Sequence, residues 1–186
     1  MIDRNISVPL LKKNNRAEQK KFYDTFCASM FVTALRISGN RSDAEDILQE
    51  SFLKAFRSIN SFEGRGPLEA WLRTIVIHTS INFVNAKKRT YDITSINQHQ
   101  YGTYTSPRLF NLEQRDLNYY LSFLSNLTRL VFTLYHIDGY SLKEIAKKVN
   151  INESACRCRY MRAKRKLYEV IVASELSMNA NAKLSI

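Results

Sequence analysis

The side chains best equipped for covalent or metal chemistry are Cys27, Cys156, Cys158, His78, His99 and His136. Their spacing argues against that use. Cys156 and Cys158 are two residues apart, which on a helix separates them by about 200°. They cannot grip one metal ion or close a disulfide while the helix is intact. The three histidines are scattered, with no metal-ligand spacing. No Gly-rich phosphate loop or nucleophile motif is present. The acidic cluster Asp43, Glu45, Asp46 and Glu50 offers carboxylates, but its helical register and capping pattern disfavour a cation site. The sequence therefore implies no catalytic residue, no metal, no cofactor and no small-molecule substrate. What remains is non-covalent chemistry. Arg157, Arg159, Arg162, Lys164, Arg165 and Lys166 crowd one short stretch, and such a stretch grips a polyanion.

These cations need an element that presents them together. Successive helical residues turn by about 100°, so Cys156, Tyr160, Ala163 and Leu167 share one apolar face. The opposite face carries Ser154, Cys158, Met161, Arg162 and Arg165. Arg157, Lys164, Arg159 and Lys166 flank it. Upstream, Ser141-Leu142-Lys143-Glu144 is a capping box opening a short helix over 142–149. Asn150-Ile151-Asn152 turns the chain, and Asn152 caps a last helix that runs to about Val172. A polar tail, 173–186, is expected to fray. A short helix, a turn and a basic helix form the helix-turn-helix pattern. Its outward face suits the major groove, where arginine pairs bidentately with guanine while lysine holds phosphate. Cys156 is expected in the core and Cys158 at the surface. Neighbouring arginines alone do not make Cys158 a redox centre.

The rest of the chain also reads as helix. Phe22, Phe26, Met30, Val32 and Leu35 recur at helical spacing over 16–38. Ser42-Asp43-Ala44-Glu45 fits a capping box for a helix over 42–58, whose polar side carries Asp43, Asp46, Glu50, Lys54 and Arg57. Residues 60–66 form a loop. Pro67 then suits the first position of a long, unusually apolar helix ending near Arg89. Residues 91–112 show no period and read as a linker. Further helices are expected over 113–123 and 128–137. With 5 Gly and 3 Pro in 186 residues, a strand-rich fold is disfavoured, and the expected class is all-α. The formal charge is +11. The most basic block is C-terminal, since residues 124–171 carry 10 basic and 4 acidic side chains. The apolar patch from Val8 to Leu11 is too short for a signal peptide, and no apolar run reaches membrane-spanning length. Together with the few cysteines, this points to a cytoplasmic protein that is not membrane-inserted.

Asp43-Ala44-Glu45-Asp46-Ile47-Leu48-Gln49-Glu50-Ser51-Phe52 closely resembles the region 2 signature of extracytoplasmic-function (ECF) sigma factors, of the sigma-70 family. Trp71-Leu72-Arg73-Thr74-Ile75 resembles that family's next helix. Gly139-Tyr140-Ser141-Leu142-Lys143-Glu144-Ile145-Ala146 and Arg162-Ala163-Lys164-Arg165-Lys166-Leu167 resemble its region 4. The matches fall in the family's order and cover most of residues 16–171. The resemblance implies two small helical domains, region 2 over 16–90 and region 4 over 113–172, joined by the linker. It implies a transcription initiation factor that brings core RNA polymerase to promoters, region 2 at the −10 element and region 4 at the −35 element. Asp43, Asp46, Gln49 and Glu50 would meet the clamp helices of the largest polymerase subunit. The 60–66 loop would hold a flipped base, with Asn60, Phe62 and Arg65 as its DNA contacts. Phe62 either stacks on that base or tucks into the core. Lys87, Lys88 and Arg89 would meet phosphates. Many members have an anti-sigma partner. His78 stands where Asn is usual and is read as a packing residue or a contact to the −10 element. Ser154-Ala155 replaces Gly-Thr, Cys158 replaces Ser, and Ser125 replaces Pro. These departures leave the −35 sequence open, not the fold. The competing reading is a helix-turn-helix regulator that acts without polymerase.

Overall fold

Asn15 ends a tight N-terminal turn and accepts a hydrogen bond from the Glu18 amide at 3.0 Å, so a helix begins where the sequence reading places it. In the computed structural model, which describes residues 6–93 and 112–183 (side chains within 6–87 and 117–174), the fold is all-α. The chain divides into two compact units, residues 1–94 and 95–186.

The first unit contains α1 (Val8–Lys12), α2 (Arg16–Ser38), α3 (Arg41–Ser58), a 3₁₀ turn (Ile59–Ser61) and α4 (Leu68–Ile93). The 100° periodicity of α2 and α3 puts Phe22, Phe26, Ala44, Ile47, Phe52 and Ala55 on facing sides. All are buried in one core with Leu72 and Val76 of α4. The Phe22 ring meets Phe26, Phe52 and Phe56 edge-on, with centroids 5.3, 5.7 and 5.8 Å away. Edge-to-face pairs of this kind add to what area burial already contributes.

Three features of the first unit differ from the sequence reading. The cap of α3 is Asn40, not Ser42. Gly39 takes the left-handed conformation (φ 82°) that closes α2, and Asn40 follows extended. The Asn40 side chain accepts from the Asp43 amide at 2.9 Å and donates to the Asp43 carboxylate at 2.6 Å. Two overlapping capping patterns sit in this stretch, and the earlier one wins because glycine lets the chain turn there. Glu45 is left to pair with Arg41 at 2.7 Å. Pro67 precedes α4 rather than opening it, and its carbonyl accepts from the Trp71 amide at 3.3 Å. Finally, α1 was not anticipated at all.

The second unit contains α5 (Leu112–Ser122), α6 (Asn126–His136), α7 (Leu142–Lys148) and α8 (Glu153–Lys183). Leu121, Leu124, Phe132, Ala163 and Leu167 form its core around α5, α6 and α8. The α7 capping box is present in full: Ser141 Oγ accepts from the Glu144 amide, and the Glu144 carboxylate accepts from the Ser141 amide at 2.8 Å. Hydrogen bonding to Ser141 holds the Glu144 carboxyl below the usual carboxylate range. The α7–α8 turn passes through Asn150 at φ 53°, a left-handed position that Asn tolerates better than most side chains. Beyond residue 172 the structure departs from the expected fraying tail, because α8 continues to Lys183. The linker expected over 91–112 lies outside the described residues except at its two ends.

Candidate nucleic-acid interface

The α7–α8 pair builds a platform from the inside out. Cys156, Ala163 and Leu167 are buried and Tyr160 is half-buried, which seats one side of α8 on the unit. Burial pushes the Cys156 thiol pKa up, and Glu153 adds to the shift. Cys156 is therefore a packing residue, while Cys158 is exposed. The opposite side presents Ser154, Cys158, Met161, Arg162 and Arg165 to solvent, with Arg157, Lys164 and Lys166 beside them. Met161 is 57% exposed, too open for an ordinary core-forming side chain on a helix packed against its neighbours. Arg157 pairs with Glu153 at 3.4 Å, and Arg165 with Glu169 at 3.9 Å. Exposed pairs one helical turn apart are worth only a few tenths of a kcal/mol. They hold the guanidinium groups only weakly. The Lys164 ammonium lies 5.9 Å from the Tyr160 ring, which holds it at the edge of the exposed face.

In the first unit the expected sites divide. Asp46, Gln49 and Glu50 are exposed on one face of α3, and Glu50 pairs with Lys54 at 3.2 Å. Leu53 belongs to the same face and is 44% exposed. Sequence reasoning missed it, although an apolar residue three and four positions after Glu50 and Gln49 is a legible signal. Asp43 does not join that face. It is buried, and Lys87 of α4 reaches both its carboxylate oxygens, at 2.7 and 2.6 Å. The Lys87 ammonium also lies 5.1 Å from the Phe83 ring. Asp43, expected to face polymerase, and Lys87, expected to face phosphate, are here in mutual contact, which joins α3 to α4. The side chains of Lys88 and Arg89 lie outside the described residues.

Asp43→Ala is expected to destabilise the first unit by about 1–2 kcal/mol, because it removes a half-buried charged contact. In a double-mutant cycle with Lys87→Ala, the coupling should be about 1 kcal/mol, since Lys87 is partly solvated. Urea melts of the four proteins check this, and additive effects would mean the contact contributes nothing.

The 60–66 loop also differs from the reading in part. Phe62 is only 9% exposed and packs on Trp71, with centroids 5.5 Å apart. Of its two proposed placements, the core is the one observed. Asn60 is exposed, and Arg65 is exposed and pairs with Glu63. Ser61, Phe62, Glu63, Arg65, Gly66, Pro67, Trp71 and Thr74 line an open cleft of about 350 Å³. The aromatic wall facing this cleft is shared by Trp71, not supplied by Phe62 alone. His78 is exposed on α4. Among the described residues no group of His, Cys, Asp and Glu is placed to hold a metal ion. Likewise, no helix among them is long and apolar enough to cross a membrane.

One unit thus carries a capped helix-turn-helix that presents arginines, and the other an acidic helix face and an aromatic cleft, a combination suited to a modular nucleic-acid-binding protein. Known families agree. Residues 30–90 match Sigma-70 region 2, and residues 115–167 match Sigma-70, region 4. The chain is 31% identical over 142 residues to the ECF RNA polymerase sigma-E factor of Haemophilus influenzae, covering 67% of this chain and 72% of the relative. It is 28% identical to the ECF RNA polymerase sigma factor SigE of Mycolicibacterium smegmatis, covering 81% of this chain and 61% of that one. The fold is similar to that of the sigma factor RpoE from Bartonella quintana, solved in complex with the anti-sigma factor NepR. There the TM-score is 0.50 at 22% identity, covering 82% and 95% of the two chains. The chain belongs to the ECF sigma factors of the sigma-70 family. It directs RNA polymerase to promoters.

Proposed function

We propose that the two units divide promoter recognition between duplex and melted DNA. In the second unit, α8 enters the major groove of the −35 element. Arg162 and Arg165 address base edges, Ser154, Cys158 and Met161 shape the contact, and Arg157 and Lys164 hold phosphates. In the first unit, Asp46, Gln49, Glu50 and Leu53 dock on the clamp helices of the largest polymerase subunit. The cleft between the 62–67 loop and Trp71 takes an unstacked base of the −10 element, with Asn60 and Arg65 at its rim. Aromatic walls hold unstacked bases in many single-strand binders. Lys88 and Arg89 follow as phosphate contacts.

The observation that carries this reading is the exposed face of α8, where the arginines stand outward over a buried Cys156–Ala163–Leu167 side. A solvated basic helix alone would not call for the capped helix and turn in front of it. The site of action is the bacterial cytoplasm, where core polymerase and chromosome meet. Because a relative of the same fold is solved with an anti-sigma factor, we include a repressing anti-sigma partner in the reading.

Run-off transcription with the native core enzyme on a promoter library tests it. Discrete new start sites sharing an upstream pair of elements are expected, and they should fade as salt rises because phosphate contacts release counterions. Salt-sensitive duplex binding without any transcript would overturn the division of labour and favour a regulator that acts without polymerase.

A further inference from the structure

The first unit holds a contact that the promoter-reading residues do not explain. Lys12, at the end of α1, donates from its ammonium to the carbonyl of Phe62 at 2.9 Å, across fifty residues of sequence. Phe62 caps the C-terminal end of the 3₁₀ turn Ile59–Ser61, where carbonyls run out of partners within the chain segment. Phe62 is therefore held at three points. Its amide donates to the Ile59 carbonyl at 3.1 Å, its ring packs on Trp71, and its carbonyl accepts from Lys12.

Directly after this pinned residue the chain is open. Gly64 has φ +73°, and a side-chain carbon placed at either Gly64 or Gly66 would meet no atom within 4 Å. The cleft wall thus has a pinned root and an uncrowded rim. The anchor itself is firm. Leu11 is buried in the main core, Val8 packs against it, and the Ser7 amide donates to the Glu18 carboxylate at the foot of α2. Lys12 is half-buried, so its ammonium acts with less competition from water than a surface lysine.

We propose that Lys12 is a positioning residue for −10 recognition: through the Phe62 carbonyl it sets the mouth of the Trp71 cleft and so determines which base the cleft accepts. This rests on the reading that the 62–67 loop takes an unstacked base. α1 then works as a strut under a specificity loop rather than as an N-terminal ornament of the core.

The test uses the full chain with native core polymerase. Templates carry each of the four bases, one position at a time, on the non-template strand of the −10 element. Lys12→Met keeps the length of the stem but removes the donor, while Lys12→Arg keeps a charged donor. The thermal midpoint of each variant is measured alongside. Lys12→Met is expected to compress the ratio between the preferred and next base by about tenfold, the scale of one charge-assisted hydrogen bond. Lys12→Arg should restore most of that ratio, and affinity for the −35 duplex should not move. A loss shared equally by all four bases, tracking a fall in thermal midpoint, would overturn the proposal and leave Lys12 a folding residue. An unchanged ratio would also overturn it. The joint variant Glu63→Ala with Arg65→Ala separates the layers. If it alters base preference while Lys12→Met does not, only the strut fails. If it alters nothing, the loop does not read the element and both readings fall.

Discussion

Phe22→Ala should unfold the first unit at growth temperature and leave the second intact. Phe22 is 1% exposed and stands among three other phenyl rings, Phe26 of α2 and Phe52 and Phe56 of α3. Truncating a buried phenylalanine costs about 3–5 kcal/mol, because the cavity does not collapse fully. For a unit of this size that lowers the thermal midpoint by roughly 15–30 °C. A whole domain holds only about 5–15 kcal/mol in reserve. Since the two units have separate cores, calorimetry of the variant should show one early transition and one unmoved. Run-off transcription should vanish at temperatures where −35 duplex binding persists. A single shared transition would show that the two cores melt together.

Arg162→Ala and Lys164→Ala should separate reading from holding. Arg162 stands on the outward face of α8, opposite Cys156 and Ala163, where a bidentate contact to guanine is geometrically open. Its loss is expected to cut discrimination at one −35 position by about 1–3 kcal/mol. Lys164 sits at the flank, over Tyr160. Its loss should weaken binding about evenly across sequences and lower the log–log salt slope by about 1. Equal loss of preference in both variants would refute the assignment.

Local chemistry was readable from the sequence, whereas chemistry spanning the unit was not. The α7 cap, the Asn152 cap and the inward face of α8 follow from residues within a turn or two of one another, and the structure places them as expected. The start of α3 slipped because Asn40-x-x-Asp43 and Ser42-x-x-Glu45 both satisfy the same rule. Only the preceding glycine decides between them. The end of α8 was placed too early because the apolar stripe stops near Val172. The residues that follow, Ala-Ser-Glu-Leu-Ser-Met-Asn-Ala-Asn-Ala-Lys, contain neither Gly nor Pro and do not break a helix. The Asp43–Lys87 pair, the burial of Phe62 and the Lys12 contact depend on packing between distant segments. Nothing in their local spacing announces them. The surroundings of the cations were accordingly more legible on α8, where one helix sets the geometry, than on α4, where Lys87 answers to α3.

The cleft has an optical consequence. Trp71 is the chain's one tryptophan, and it lies between the Phe62 ring and open solvent. All indole emission from the isolated protein therefore originates at the spot where an unstacked base would lodge. Binding of a single-stranded −10 oligonucleotide should quench that emission, and stopped-flow mixing would give the rate of base capture with no dye attached. If the cleft takes that base as proposed, the chain carries its own fluorophore at the step that commits a promoter to opening.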